Sequence, residues 1–184
     1  TLDLLEAQIM DVDQTLQDHH VFSRYGRHLI PTCVGSVVED AVKVFMGTGH
    51  PDIVPRISAG LGDVPDVQAH PVILKQVIGN LIVNACEAIA MSATGRGEIA
   101  IGAESVTADG IRWVRISVRD GGIGIASDAL QHLFERGYST KRASSGGIGL
   151  HWCANVISAM DGNLRADSAG LGRGATFTVT LRAA

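Results

Sequence analysis

The sequence has little net charge, few cysteines and no long apolar run, and each shortage argues against a class of protein. It has 15 lysines and arginines against 19 aspartates and glutamates, with no long run of one sign, so a basic nucleic-acid-binding surface is not expected. Its three cysteines, Cys33, Cys86 and Cys153, are far apart, which disfavours a disulfide framework or a metal cluster. No apolar run approaches the roughly 18 residues of a membrane span. We therefore expect a cytoplasmic chain that contacts neither nucleic acid nor membrane.

The chain begins with Thr1 rather than Met and has no signal peptide, so we interpret it as part of a longer protein. Its 184 residues, 46% apolar and 18% charged, suffice for one domain with a full core and an additional element. Glycine, by contrast, is abundant: 22 residues, clustered at 121–124, 146–149 and 170–174. Such clusters let backbone approach a phosphate or a base closely.

The N-terminal segment is the first predicted element. Residues 1–25 contain no glycine or proline, and apolar positions recur every three or four residues, at Leu2, Leu5, Ile9, Val12 and Leu16. This spacing is typical of a helix packed in a bundle, although an ordinary amphipathic helix would show it as well. We place a domain boundary after residue 27, with residues 28–184 forming the main domain.

Periodicity predicts the rest of the fold. We expect helices at 34–45, 70–91 and 150–160, and strands at 53–58, 67–69, 98–104, 111–118, 163–168 and 175–181. The fold class is α+β. The expected architecture is a two-layer sandwich with a mixed, mostly antiparallel sheet and helices on one face, preceded by the bundle-forming helix.

Three polar features interrupt this pattern. Asn80 and Asn84 lie four residues apart on the strongest predicted helix and therefore share a face, and an amide oxygen is a suitable ligand for Mg²⁺. Asp120 ends a strand before Gly-Gly-Ile-Gly, where a carboxylate can accept a hydrogen bond from an adenine amino group. A glycine-rich segment at 144–150 leads into a helix, an arrangement that binds phosphates. Taken singly, each could be an ordinary cap or turn.

Their order and spacing resemble the ATP-binding fold shared by gyrase, heat-shock chaperone ATPases, histidine kinases and mismatch-repair ATPases. Within that superfamily, residues 76–85 (QVIGNLIVNA) look like the N box of the two-component sensor histidine kinases, and residues 133–141 (LFERGYSTK) look like their F box. The resemblance extends from about residue 34 to the end of the chain. It implies an ATP-binding catalytic domain that transfers the γ-phosphate to a histidine.

The resemblance also implies the site residues. Asn84 is expected to hold Mg²⁺ with Asn80 assisting, both being the catalytic candidates, while Asp120 reads the adenine with help from the Thr176 hydroxyl. Residues 137–146 are expected to form a mobile lid over ATP. The full set expected to contact Mg²⁺·ATP is Asn80, Asn84, Glu87, Ala88, Asp120, Gly122, Gly124, Ile125, Thr140, Lys141, Arg142, Gly146, Gly147, Ile148, Gly149, Leu150 and Thr176.

Some residues depart from the family pattern. Gly121 replaces the usual asparagine, and Glu87 stands where other subfamilies place a basic phosphate contact. Asn80 is more informative, because the superfamily's ATPases usually carry a water-activating glutamate there. An amide cannot accept that proton at neutral pH, so transfer to an acceptor other than water is favoured.

No histidine in the chain has the setting of a phosphoacceptor, which is normally followed by an acidic residue. His19 and His20 are followed by Val21. We therefore expect the acceptor on a dimerisation hairpin of which residues 1–27 form the end of the second helix. The expected partners are ATP, a response regulator and, through the hairpin, a second copy of the protein. The alternatives are a serine kinase of the anti-sigma type and a non-catalytic nucleotide-sensing domain.

Overall fold

The computed structural model describes residues 28–46, 52–138 and 149–184. The predicted bundle helix at 1–27 lies outside the described residues. The strands are β1 Ile30–Thr32, β2 Ile53–Ile57, β3 Val67–Ala69, β4 Gly97–Ala108, β5 Ile111–Asp120, β6 Asn163–Asp167 and β7 Ala175–Arg182. The helices are α1 Val34–Met46, α2 Pro71–Ala90, α3 Ser127–His132 and α4 Gly149–Ala159, and a 3₁₀ helix covers Ala59–Gly62.

The main sheet has five strands in the order β2-β4-β5-β7-β6. β2 runs parallel to β4, and the other neighbouring pairs are antiparallel. β1 and β3 form a separate antiparallel pair. The predicted mixed, mostly antiparallel sheet is thus confirmed. Its central hairpin closes through Asp109 and Gly110, both with positive φ (50° and 75°), as the right-handed twist of two paired strands requires.

One face of the sheet carries the core. Alternate residues of β5 and β7 are buried, among them Val114, Ile116, Val118, Val179 and Leu181. α2 lies against this face, and α1 and α4 pack beside α2. The predicted two-layer arrangement is therefore correct for the described residues, and it leaves the outward-pointing residues of the sheet on an open face.

α2 is the central helix of the core. It begins at Pro71, where the missing N–H costs nothing because the first-turn amides have no helical partner. By length and mean hydropathy it could span a membrane, contrary to our expectation that no segment of the chain could. However, its apolar stripe is fully buried at Leu74, Val77, Ile78 and Leu81, so the core takes up the surface that a bilayer would cover.

Among the described residues, the structure adds three short elements that periodicity did not predict, one of them the 3₁₀ helix. β1 spans three residues around Pro31, and α3 spans six residues after the glycine loop that follows β5. The structure also extends β4 and β5 beyond their predicted ends, to Ala108 and Asp120. The three unpredicted elements span only three to six residues each, which is too few positions to show a period of two or 3.6.

Candidate nucleotide-binding site

Asp120 is the last residue of β5 and is 4% exposed. It continues the inward-facing row of this strand, which contains Ile116 and Val118, so its carboxylate points toward the helix layer rather than the open face. Its Oδ1 accepts a hydrogen bond of 2.8 Å from the Gly122 N–H. A buried carboxylate held by the backbone is a fixed acceptor for a donor such as an exocyclic amine.

Gly122 joins this aspartate to the helix of the two asparagines. A Cβ on Gly122 would lie 2.5 Å from the carbonyl carbon of Ala88, at the end of α2. The next residue, Ile123, donates its N–H to the Ala88 carbonyl oxygen over 3.1 Å. The structure therefore brings together Asp120, Gly122 and Ala88, three of the predicted residues, and a side chain at position 122 would push the loop off the helix.

A second glycine-rich turn braces the loop from the other side. Gly124 has φ +70°, and a Cβ there would collide with the Gly170 carbonyl oxygen. The Ile125 N–H donates to Ser168 Oγ over 3.0 Å, and that hydroxyl donates to the Gly174 carbonyl over 2.7 Å. Ser168 was not among the residues that the sequence pattern predicted for the site. Its position between a strand and a glycine cluster, where a hydroxyl bonds nearby backbone, was the available signal.

Asn80 and Asn84 lie one turn apart on α2 and are partly exposed, whereas Leu81, Ile82 and Ala85 between and beside them are buried. The Asn80 Nδ2 donates to the sulfur of Cys153 on α4, 3.6 Å away. Glu87, one turn beyond Asn84, is also partly exposed. This polar strip ends at Ala88, where the Asp120 loop is attached, as a single site formed by the asparagines and the aspartate would require.

Two further predicted nucleotide contacts lie at the beginning of α4. Gly149 opens this helix and Leu150, partly buried, packs against the core. His151 connects the helix to the predicted F box, because its Nδ1 lies 2.9 Å from the Phe134 carbonyl oxygen. Its Nε2 lies 3.0 Å from Asn155 Nδ2. An amide nitrogen can only donate, so Nε2 accepts and Nδ1 carries the proton that is given to Phe134.

The side chain of Thr176 does not point toward the side of the sheet that Asp120 faces. In the β5–β7 register Asp120 is opposite Ala175, and Thr176 is opposite Arg119. Since side chains alternate along a strand, Ala175 faces the helix layer and is 7% exposed, while Thr176 points to the open face. The proposed hydroxyl contact to adenine is therefore corrected. Thr140, Lys141, Arg142, Gly146, Gly147 and Ile148 lie outside the described residues.

The donor set of α2 fits a magnesium ion that is shared with a nucleotide. Within the described ranges, no three His, Cys, Asp or Glu side chains gather as a metal site. A partly exposed amide such as that of Asn84 can supply one oxygen, and Mg²⁺ usually completes its shell with phosphate oxygens and water. The arrangement fits a substrate-borne ion better than an ion caged by protein.

Comparisons with known proteins agree with this geometry. The family model for histidine kinase-, DNA gyrase B- and HSP90-like ATPases matches residues 69–184. The sensor protein DctB of Pseudomonas aeruginosa, for C4-dicarboxylate transport, is 38% identical over 109 residues, 56% of this chain and 17% of that protein. The histidine-protein kinase AtoS of Escherichia coli is 30% identical over 182 residues, 98% of this chain and 28% of that protein.

Among solved structures, full-length ShkA in complex with AMPPNP superposes with a TM-score of 0.66 at 25% identity, covering 90% of this chain and 35% of that one. The chain belongs to the family of histidine kinase-, DNA gyrase B- and HSP90-like ATPases. The assignment that the N and F boxes predicted, an ATP-binding catalytic domain of the sensor histidine kinase type, is confirmed. The chain spans 17% and 28% of the lengths of the two curated relatives.

Proposed function

We propose that this chain holds Mg²⁺·ATP and directs the γ-phosphate to a histidine on a dimerisation hairpin, from which a response regulator receives it. The observation that carries the proposal is the attachment of the Asp120 loop to Ala88, through the Gly122 contact and the Ile123 hydrogen bond. This attachment sets the predicted adenine acceptor at one end of the helix that carries Asn80 and Asn84. The AMPPNP bound by ShkA, a structural neighbour, supports an adenine nucleotide as the ligand.

Each part of the site has one task in this proposal. Asp120, held by the Gly122 N–H, accepts a hydrogen bond from the adenine amino group. Asn84 would hold Mg²⁺, which when bound neutralises charge on the transferring phosphoryl group. The N-terminal amides of α4 attract phosphate oxygens through the positive end of the helix dipole. Gly122 and Gly124 let the loop after Asp120 pack directly against Ala88 and Gly170, which holds the carboxylate in place.

The identity of residue 80 decides which acceptor is favoured. The amide of Asn80 has no basic site at neutral pH, so it cannot remove a proton from water. Hydrolysis is then slow, and phosphoryl transfer depends on a nucleophile supplied by another segment. Phosphoryl transfer needs little covalent chemistry from the protein, so positioning ATP and acceptor is sufficient. We place this reaction in the cytoplasm, where ATP and response regulators are available.

The test is phosphate transfer in a chain extended by roughly 60 upstream codons, enough to encode a helical hairpin. With γ-labelled ATP, the extended protein should form dimers and acquire an acid-labile, base-stable phosphohistidine, whereas residues 1–184 alone should acquire none. Asn84→Ala should abolish labelling. Asn163→Ala, the same truncation at an exposed asparagine on the open face of the sheet, should leave it unchanged.

Two results would contradict the proposal. Stoichiometric labelling of residues 1–184 alone would place the acceptor inside this chain. Full labelling of the extended Asn84→Ala protein would remove Asn84 from the Mg²⁺ site.

A further inference from the structure

The hydrogen bond between Asn80 and Cys153 joins the two helices that border the nucleotide site. Asn80 lies on α2 and Cys153 on α4, 73 residues apart in the chain, and Asn80 Nδ2 donates to the sulfur over 3.6 Å. Cys153 is 0% exposed, whereas Asn80 is partly exposed. A buried sulfur therefore holds the amide nitrogen of a side chain that is itself partly exposed.

Holding one end of an amide fixes the other. The carboxamide group is planar, so a restrained Nδ2 also sets the direction of Oδ1, the atom available to a cation, a water or a phosphate-bound proton. Without a partner, Asn80 would sample several rotamers next to the open groove lined by Val44, Val72 and Val83. Each reorientation would have to be reversed before the side chain could act on the nucleotide.

The thiol is suited to this task because it stays neutral. Burial raises the pKa of Cys153 to about 12, and the hydrogen bond from Asn80 partly opposes that rise. A neutral thiol offers a weak sulfur acceptor without placing a charge beside the phosphates. Burial also makes it inert toward oxidants and alkylating reagents.

We propose that Cys153 is a positioning residue for phosphoryl transfer, acting through Asn80 by holding its amide in one orientation. This inference depends on the function proposed above. The competing explanation is that Cys153 only fills the core, as Trp152, Val156 and Ile157 of the same helix do. The two explanations differ in what happens when the sulfur acceptor is replaced by apolar side chains slightly larger and slightly smaller than cysteine.

The experiment compares Cys153→Ser, Cys153→Val and Cys153→Ala in the hairpin-extended protein, with Cys86→Ala as the matched control. Cys86 is also a buried cysteine, located on α2 itself.

At saturating ATP, the Cys153→Val and Cys153→Ala variants should transfer phosphate about three- to tenfold more slowly than wild type, the range that one neutral hydrogen bond supports. The serine variant, which keeps an acceptor, should stay within about twofold of wild type, as should Cys86→Ala. Nucleotide affinity should change less than the rate in every variant.

Two further measurements separate positioning from packing. In an Asn80→Ala background, Cys153→Val should cause no additional loss, because residues that act as a unit are not additive. In wild-type protein, one Asn80 side-chain amide proton should exchange slowly by NMR, and this protection should vanish in Cys153→Val. If Cys153→Ala does not fold, the valine and serine variants still decide the question.

The inference is wrong if Cys153→Val transfers at the wild-type rate, or if its loss persists in the Asn80→Ala background. It is also wrong if the Asn80 amide proton is unprotected in wild type. Failure of the extended wild-type protein to label any histidine would instead refute the proposed function, and the amide-proton measurement would then still test the contact itself.

Discussion

Asp120 is the residue on which recognition of the nucleotide should depend most. Asp120→Ala should weaken ATP binding at least tenfold, since a hydrogen bond to a charged group is worth about 1.5–3 kcal/mol. Asp120→Asn keeps an oxygen for the Gly122 N–H but replaces the other oxygen with a donor, so it should bind weakly while remaining folded. Calorimetry measures the ATP affinity of both variants.

The control is Asp167→Ala, which removes an exposed carboxylate on β6 and should bind ATP as wild type does. Equal ATP affinities in wild type and all three variants would remove Asp120 from the site.

The three cysteines should differ sharply in reactivity. Cys33 is exposed and its thiol pKa is lowered, chiefly by a hydrogen bond from the Ser36 backbone and then by the Ser36 side chain. Cys86 and Cys153 are buried. Because the thiolate is the reacting species, a thiol reagent at neutral pH should modify Cys33 rapidly and the other two only after denaturation. Mass spectrometry after a timed pulse measures this, and early modification of Cys153 would contradict its buried position.

The sequence predicted that Asp120, Gly122 and Ala88 contact the nucleotide. The structure places these three residues side by side, and their contact with the nucleotide stays a prediction. The sequence did not distinguish Thr176 from Ala175. Which of two adjacent strand residues faces inward depends on the register with β5, and a shift of one residue exchanges the two faces. Ser168 was missed since its role depends on Gly174 and Ile125, and Ile125 is distant in sequence.

Among the elements, α4 is joined by His151 to the part of the F-box segment that the structure describes. His151→Asn places an amide nitrogen near the position of Nδ1 and should keep the bond to the Phe134 carbonyl. His151→Gln has one more methylene, which places its amide nitrogen beyond the position of Nδ1, so this variant should lose the bond to the Phe134 carbonyl. We expect the asparagine variant to bind ATP within about twofold of wild type and the glutamine variant to bind several-fold more weakly, as loss of about 0.5–1.5 kcal/mol implies. Hydrogen exchange at residues 133–138 should rise in the glutamine variant alone.

Asn155→Ala is the control, because it removes the partner of Nε2 and leaves the contact to Phe134 in place. Equal exchange in the asparagine and glutamine variants would show that His151 does not hold the F-box segment.

The long elements were predictable, and so was the short strand β3, whereas β1 and α3 were not. α2 and the β4–β5 hairpin carry many positions in a consistent period, and Asp109-Gly110 is a turn that strands of this twist require. β1 is held by pairing with β3, more than 30 residues later in the chain, a contact that no local pattern reveals. α3 is six residues long, fewer than two helical turns.

At the scale of the molecule, the two faces of the sheet have different roles. The open face carries a depression of about 770 Å³ lined by charged and polar side chains, among them Glu104, Arg115, Arg165 and Thr178. None of the predicted nucleotide contacts lines this hollow. We therefore expect the nucleotide to bind on the helix side of the sheet, toward which Asp120 points.

Binding of nucleotide to the native state should raise the stability of the whole chain by mass action. At ATP one hundred times its Kd with excess Mg²⁺, the expected gain is about 2.7 kcal/mol. A chain of this length should then unfold at a temperature roughly 5–10 °C higher, at about 2–4 °C per kcal/mol.

The Asp120→Asn protein at the same ATP concentration, with an ATP affinity about tenfold lower, should show about half that shift in unfolding temperature. A chelator should reduce the shift in both proteins, because Asn84 holds the nucleotide only through Mg²⁺. Differential scanning calorimetry on residues 1–184 measures these shifts without any acceptor histidine. A shift that is equal in wild type and Asp120→Asn would mean that ATP binds elsewhere.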